Sequence, residues 1–290
     1  MIQKKFKLLL FNLIILLASY TFMGGDCSTD NDNSDIPSPT SVDAPGSLSF
    51  KVEAEAGGDS KVTFSWTASP DENVSDFKGY RIITVELDSD DNPSTFQEQA
   101  LDKAIKTHAI NPLQRGKRFK TFVLAELNNG TKSDSLETEI YAGIYYNIDG
   151  VIDSYVPNSS TMSGFGWNIS TGVGNPYAYT QGNAPLIDLH MEETREAPYF
   201  YSPKVFGENF KLTRMKLLGS GQSAFDETDL PEADETILLV ENGNVYLLET
   251  QEGYYVKVWI KSIDPPVIGH NYYTVHFDYK LQPIQGLRVL

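Results

Sequence analysis

The fold of this chain is decided by one stretch, "GNVYLLETQEGYYVKVWIKSI", which runs from Gly243 to Ile263. On both sides of Gly253 the side chains alternate with a period of two, which is typical of two strands joined by a turn that needs a positive φ. The alternation places Val256 and Val258 on the inner face of the second strand and Lys257 on the outer face. The stretch therefore predicts a β-hairpin with one buried face.

A third strand follows in "NYYTVHFDYKLQ", residues 271–282, where the pattern places Asp278 and Lys280 on the outer face. Three successive antiparallel strands predict a meander in a sandwich or an open barrel. Looser strand patterns lie upstream in residues 164–171, 184–191 and 209–218, and residues 225–237 predict an acidic loop or a short capped helix.

The first half of the chain alternates in the same way between residues 44 and 143, with turn signals such as Asn129-Gly130 between the runs. About seven strands in roughly 100 residues are typical of an immunoglobulin-like sandwich. A content of 16 Tyr and 15 Phe, with few helix-forming stretches, also favours an all-β protein.

Trp66, Tyr80 and the stretch "LQRGKRFKTFVLAELNNGTKS" at 113–133 stand out within residues 45–143. Through them this part of the chain resembles the fibronectin type III family: Trp66 matches its buried tryptophan, Tyr80 its third-strand tyrosine, and the stretch its later series of residues. Phe119 departs from the pattern, because the family usually has a tyrosine there. The resemblance implies a fibronectin III-like β-sandwich that serves as a spacer or a contact surface.

Residues 144–290 resemble the HmuY-like domain of secreted Bacteroidetes lipoproteins, through "VYLLETQEGYYVKVWIKSI", "VHFDYKLQ" and "GWNIST". The resemblance implies a second antiparallel β-sandwich or open barrel. In that family a pair of His or Met side chains grips haem iron. This chain offers His190, Met191 and Met215 between those segments, and no spacing singles out a pair. No cofactor is predicted, and haem is kept as a candidate ligand.

The chain opens with three lysines, an apolar run and small residues, which predicts a secretory signal over residues 1–26. A retained membrane anchor is the alternative, although a spanning helix needs about 20 apolar residues. The segment that follows, residues 27–44, is rich in Ser, Asp, Asn and Pro and predicts a disordered acidic tether.

Cys27 is the only cysteine, and the small residues before it resemble the lipobox of bacterial lipoproteins. The resemblance implies a lipid on Cys27 and an outer-membrane or cell-surface location. Asp26 departs from the pattern, which has a small residue at that place. Cleavage by signal peptidase I that leaves a stray thiol, and an intermolecular disulfide, are the alternatives.

A net charge of −16, from 23 basic and 39 acidic residues, would repel phosphate backbones, so nucleic acid is not an expected partner. The acidic run from 226 to 235 lacks the central glycine and terminal glutamate of a calcium loop, and the histidines show no metal-binding spacing. We therefore predict neither a metal site nor catalytic residues.

The remaining candidates for ligand binding are side chains that suit stacking on a sugar ring or a flat cofactor, or ligation of haem. For each ring the alternative is a place in the core. The candidates are Trp167, Tyr177, Tyr179, His190, Met191 and Trp259.

These features together predict a non-catalytic, lipid-anchored surface protein that captures an external ligand or acts as an adhesin, beside an outer-membrane uptake system. The ligand is a glycan, haem or a protein. The alternative is a glycan-degrading hydrolase whose pair of acids is not visible in the sequence.

Overall fold

The computed structural model describes residues 41–157, 159–228, 230–269 and 271–290. The predicted signal segment, Cys27 and most of the predicted tether lie outside these ranges. Within them, no helix is long and apolar enough to cross a membrane. The last residues of the predicted tether belong to the fold, because Val42 is only 7% exposed and packs in the first core.

Residues 48–142 form a sandwich of two antiparallel sheets, as the fibronectin III-like interpretation predicts. Val62, Phe64 and Trp66 alternate with exposed or half-buried residues and point into the core, so the period of two is the cause of the layered packing. The strands are β1 (Leu48–Ala54), β2 (Ser60–Trp66), β3 (Phe77–Leu87), β4 (Pro93–Asp102), β5 (Thr107–Leu113), β6 (Arg118–Leu127), β7 (Leu136–Glu137) and β8 (Tyr141–Ala142). One sheet has the order β1-β2-β5, and the other has the order β4-β3-β6-β7, with β8 also paired to β6.

The rest of the chain forms a second antiparallel sandwich, so the all-β prediction is confirmed. Its strands are β9 (Tyr145–Asp153), β10 (Gly164–Trp167), β11 (Gly174–Tyr177), β12 (Leu189–Thr194), β13 (Ala197–Tyr201), β14 (Arg214–Ser220), β15 (Ile237–Leu239), β16 (Asn244–Glu249), β17 (Tyr255–Asp264) and β18 (Thr274–Leu281). One sheet has the order β14-β16-β17-β18-β9 and the other the order β11-β10-β12-β13-β15. The predicted meander is present as β16, β17 and β18.

The helical segments are short. The α-helix α1 (Gly221–Asp226) starts before the predicted acidic segment and ends inside it. Turns of 3₁₀ helix cover Pro70–Asn73, Gln181–Leu186 and Pro203–Phe206. The second of these occupies part of residues 184–191, where the pattern predicts a strand, and β12 begins only at Leu189.

The prediction that Lys257 and Lys280 face outward is wrong. Lys257 is 0% exposed and Lys280 is 5% exposed, because the outer face of their sheet is covered. The Nζ atom of Lys257 donates to the backbone oxygens of Phe225, Glu227 and Leu290. Alternation along a strand distinguishes two faces, but it does not say whether the second face is also covered.

Part of that covering comes from the first sandwich. One apolar cluster contains Val62 and Phe64 of the first sandwich together with Leu247 and Tyr255 of the second. Hydrogen bonds join the two sandwiches as well, since the Ile144 amide donates to Ser60 Oγ over 3.1 Å. The Gly57 amide also donates to the Tyr146 carbonyl oxygen, over 2.8 Å.

Candidate ligand-binding face

The outer face of the sheet β11-β10-β12-β13-β15 carries rings, aliphatic groups and oxygen atoms in cross-strand rows. The register sets Glu192 beside Tyr199 and Tyr199 beside Leu239, and the next row on that face is His190, Tyr201 and Ile237. Residues two apart on a strand share a face, so both rows lie on the same side of the sheet. We call this surface the aromatic face; it consists of His190, Glu192, Thr194, Tyr199, Tyr201, Ile237 and Leu239.

At one end of the aromatic face His190 is completely buried and fully engaged. Its Nδ1 lies 2.8 Å from the Ser163 carbonyl oxygen, and its Nε2 lies 3.2 Å from Glu192 Oε1. The imidazole stacks on the Tyr179 ring with centroids 3.8 Å apart and an angle of 24° between the planes. Both nitrogen atoms and one ring face of His190 are therefore already in contact with protein.

Tyr179 is held between two rings. Phe210 also stacks on it, at 4.3 Å and 16°, and two stacked rings at such distances must occupy opposite faces of Tyr179. The Tyr179 hydroxyl donates to the Pro203 carbonyl oxygen over 2.8 Å, and burial raises the pKa of this hydroxyl. Both faces of the Tyr179 ring are therefore covered by protein, and neither is open to a sugar ring.

Phe206 offers an accessible ring next to this stack. It ends the 3₁₀ turn Pro203–Phe206, is 41% exposed, and contacts His190 and Tyr201 with centroids 5.2 Å and 5.1 Å apart. The sequence pattern misses Phe206 because the residue lies in a loop without alternation. Its one sequence signal is the Ser202-Pro203 pair, which favours a turn start.

The centre of the aromatic face combines half-buried Tyr199 with exposed aliphatic groups. Leu239 is 39% exposed and Ile237 is 43% exposed, which places apolar surface along β15, directly beside the two tyrosines of β13. Thr194 Oγ1 and the Tyr201 hydroxyl lie 2.8 Å apart, so polar atoms border the rings. Contiguous exposed apolar surface with a polar border is typical of binding sites.

Two of the candidate residues lie in the core. Trp167 is 7% exposed and Met191 is 0% exposed, and both belong to the apolar cluster between the two sheets. Met191 follows His190 directly on β12, so the two side chains point to opposite faces and cannot grip one ligand together. Met215, the third residue of the haem-ligating types, is also in that cluster.

The other two candidates are half-buried and lie apart. Tyr177 packs against a small cluster that contains Ile187 and Phe210. Trp259 lies on the other sheet, where Lys261 Nζ is 3.3 Å from its ring centroid. The structure therefore brings Tyr179 and His190 together and leaves Trp259 on a different surface.

Lys257 and Lys280, which the alternation pattern assigns to an outer face, form a buried pair. Lys280 Nζ contacts Asp226 Oδ1 at 2.8 Å and the Phe225 carbonyl oxygen at 2.9 Å. Its cross-strand neighbour Lys257 has a pKa lowered to about 7, chiefly by burial and then by the charge of Lys280. Because the amine of Lys257 is enclosed, it acts on stability rather than on a ligand.

Among the described residues, no group of three or more His, Cys, Asp or Glu side chains is arranged to hold a metal ion. The acidic segment after α1 contributes instead to ion pairs, such as Lys216 with Asp234 at 3.0 Å.

No family model matches the chain. No curated protein matches it either. Among solved structures, the chain is similar to the third fibronectin III domain of the human KIAA0343 protein, with 14% identity, a TM-score of 0.29, and coverage of 41% of this chain and 92% of that one. It is also similar to the twitchin kinase region from C. elegans, with 13% identity and a TM-score of 0.26. That match covers 82% of this chain and 39% of the other.

Proposed function

We propose that this chain is a non-catalytic surface lipoprotein that captures an external glycan on the aromatic face. The observation that carries the proposal is the accessible ring of Phe206, which contacts Tyr201 of the aromatic face, while Tyr201 in turn lies beside Tyr199. A sugar ring has an apolar face and a border of hydroxyls. Such a ligand matches a surface of flat rings bordered by hydrogen-bonding groups.

The contacts of His190 favour a glycan over haem. Ligation of haem iron by His190 would need the imidazole to leave the Ser163 carbonyl, Glu192 and the Tyr179 ring. Met191 and Met215 would have to leave the core. A glycan bound over Phe206 and Tyr199 requires none of these changes, so most of the binding surface is already formed.

Charge favours a neutral glycan. Glu192 is the charged residue in the rows of the aromatic face, and the chain as a whole carries a net charge of −16. A polyanionic ligand would be repelled by this field, whereas the hydroxyls of a neutral sugar can donate hydrogen bonds to a carboxylate.

The test uses the full chain and four neutral hexasaccharides: β-1,4-linked glucan, xylan and mannan, and α-1,4-linked glucan. We expect at least one to bind, and we expect Phe206→Ala to weaken that binding about tenfold or more. The matched control is Phe122→Ala, which removes a half-buried ring from β6 of the first sandwich. Binding of none of the four, or equal binding by Phe206→Ala, would contradict the proposal.

Two further measurements address the alternatives. A Soret shift on titration with haemin would favour haem capture, and release of reducing sugar from the same oligosaccharides would favour the hydrolase. Binding to a protein without any glycan response would leave the adhesin interpretation.

We place the protein on the outer membrane through a lipid on Cys27, beside an uptake system for the captured glycan. The support is the lipobox-like sequence, which lies outside the described residues, and the acidic segment after it, most of which does. Labelling with radioactive palmitate should occur in the native chain and be lost in Cys27→Ala. Equal labelling of the two would refute the anchor.

A further inference from the structure

The hairpin that forms the middle of the aromatic face closes with an unusual turn. Strands β12 and β13 are paired without interruption from His190–Tyr201 to Thr194–Ala197, which leaves Arg195 and Glu196 as the two loop residues. Both have positive φ, 56° and 62°. This is the backbone of a type I′ turn, in which Asn-Gly is strongly preferred because other residues meet a steric cost there.

Elsewhere the chain uses residues that suit positive φ. Gly243 and Gly253 adopt it at φ 82° and 81°. Among the described residues, the other non-glycine positions with positive φ are Asp91 and Asp149, and aspartate tolerates this region better than long side chains do. Arg195 and Glu196 are therefore the exception within this chain.

The turn is held in place from outside the hairpin, because the Tyr273 hydroxyl donates to the Glu196 carbonyl oxygen over 2.6 Å. The side chains are not used for this purpose. Both residues are exposed, and neither side chain makes a hydrogen bond or an ion pair with another described residue. Strained residues that persist without a structural use for their side chains are found preferentially at functional sites.

The position of the turn suggests the use. Glu196 lies three residues along β13 from Tyr199, which corresponds to about 10 Å. A short oligosaccharide lying along the hairpin would reach from the ring of Tyr199 to the turn.

We infer that Arg195 and Glu196 are ligand-contacting residues at the end of the aromatic face, where they bind hydroxyl groups of a neutral oligosaccharide. This inference rests on the proposed function. A sugar hydroxyl both donates and accepts hydrogen bonds. The guanidinium of Arg195 can donate to its oxygen, and the carboxylate of Glu196 can accept its proton in a hydrogen bond.

Two double variants separate strain from binding. Arg195→Asn with Glu196→Gly relaxes the backbone and removes both groups. It should raise the Tm by on the order of 5 °C and weaken oligosaccharide binding about tenfold. Arg195→Gln with Glu196→Gln keeps the strained backbone and removes both charges, so it should weaken binding without the gain in Tm. Asp149→Gly, on β9 of the other sheet, is the control: it relaxes one positive-φ residue and should leave binding unchanged.

The experiment uses the full chain and the hexasaccharide that it binds best among the four named above, with titration calorimetry for the Kd. We call Arg195→Asn with Glu196→Gly the relaxed-turn variant. A Kd of this variant within about twofold of the native Kd would overturn the inference, and so would an unchanged or lower Tm. If Phe206→Ala loses binding while the relaxed-turn variant keeps it, the inference fails and the proposed function stands. If the native chain binds none of the four, both fail.

Discussion

Replacing Lys257 with methionine should flatten the dependence of the unfolding free energy on pH between about 7 and 10.5. The amine is completely enclosed, and its pKa is lowered from 10.5 to about 7 by burial and by the nearby charge of Lys280. Carboxylates at Glu227 and Asp226 act in the opposite direction but do not compensate. Between the two pKa values the unfolded chain holds a proton that the folded chain has released.

Proton linkage gives the sign and the size of the pH dependence that Lys257 adds to the unfolding free energy. Because the unfolded state binds the additional proton, raising the pH stabilises the folded state by about 1.4 kcal/mol per pH unit through this window. The contribution is fully present above pH 10.5 and is lost as the pH falls through 7. In the methionine variant this slope is absent, so the difference between the two unfolding free energies should change by about 3 kcal/mol from pH 7.5 to 9.5.

The absolute stability at one pH is a poor readout. Methionine removes a costly buried amine, worth about 5 kcal/mol at pH 7 by the same linkage. It also leaves the carbonyl oxygens of Glu227 and Leu290 without this donor, at about 1–3 kcal/mol each if they stay dry. These effects nearly cancel, whereas only the amine contributes to the slope.

The assay is urea unfolding of both chains at half-unit pH steps from 6.5 to 9.5. The control is Lys216→Met, which removes a lysine whose side chain is 35% exposed rather than enclosed. Its pKa is raised by Asp234, so any slope from Lys216 has the opposite sign. Parallel curves for the native chain and Lys257→Met would refute the reasoning, because they would mean that the carbonyl oxygens keep the amine charged.

Two further predictions concern single contacts. Burial alone would raise the pKa of Glu126, but hydrogen bonds from Lys78 and Arg81 outweigh burial and lower the pKa below 4.5. Glu126→Gln should therefore reduce the unfolding free energy by about 1–2 kcal/mol at pH 7, and by less once the pH falls through that pKa. Urea unfolding of both chains at pH 7 and pH 3 measures the two differences. A Cβ on Gly174 would lie 2.3 Å from the Phe165 ring, so Gly174→Ala should lower stability by about 1–3 kcal/mol in thermal unfolding. At Gly182 a Cβ would meet only Thr180 Oγ1, at a relaxed 4.0 Å, so Gly182→Ala should be neutral.

The strands were predictable because they depend on local alternation. The hairpin around Gly253 and the run Val62, Phe64, Trp66 each place apolar groups two residues apart, and no distant contact is needed to identify them. The burial of Lys257 was not predictable, because it depends on α1 and on the first sandwich, which are distant in the sequence. A lysine in an alternating strand is ordinarily assigned to solvent.

The candidate site was only partly predictable, for the same reason. Residue type drew attention to Tyr179 and His190, but their stacking depends on a loop that returns to β12. Phe206 reaches the aromatic face from another loop, where no periodicity marks it. The strain at Arg195 and Glu196 is a property of backbone angles, and it becomes visible only when the register of β12 and β13 is known.

The shared apolar cluster implies that the two sandwiches unfold together, and Leu247 tests this. Leu247 is completely buried in the cluster that contains Val62 and Phe64 of the first sandwich, whereas its neighbour Leu248 is completely buried in the second sandwich's own core. Replacing either with alanine should cost about 2–5 kcal/mol.

If the sandwiches form one cooperative unit, each substitution should lower amide hydrogen-exchange protection in β6 and β18 by the same free energy, because global unfolding exposes both. If they unfold separately, Leu248→Ala should lower protection in β18 and leave β6 unchanged. Since the aromatic face lies on the second sandwich, cooperative unfolding would make the first sandwich a source of stability for the binding surface, which a mere spacer would not be.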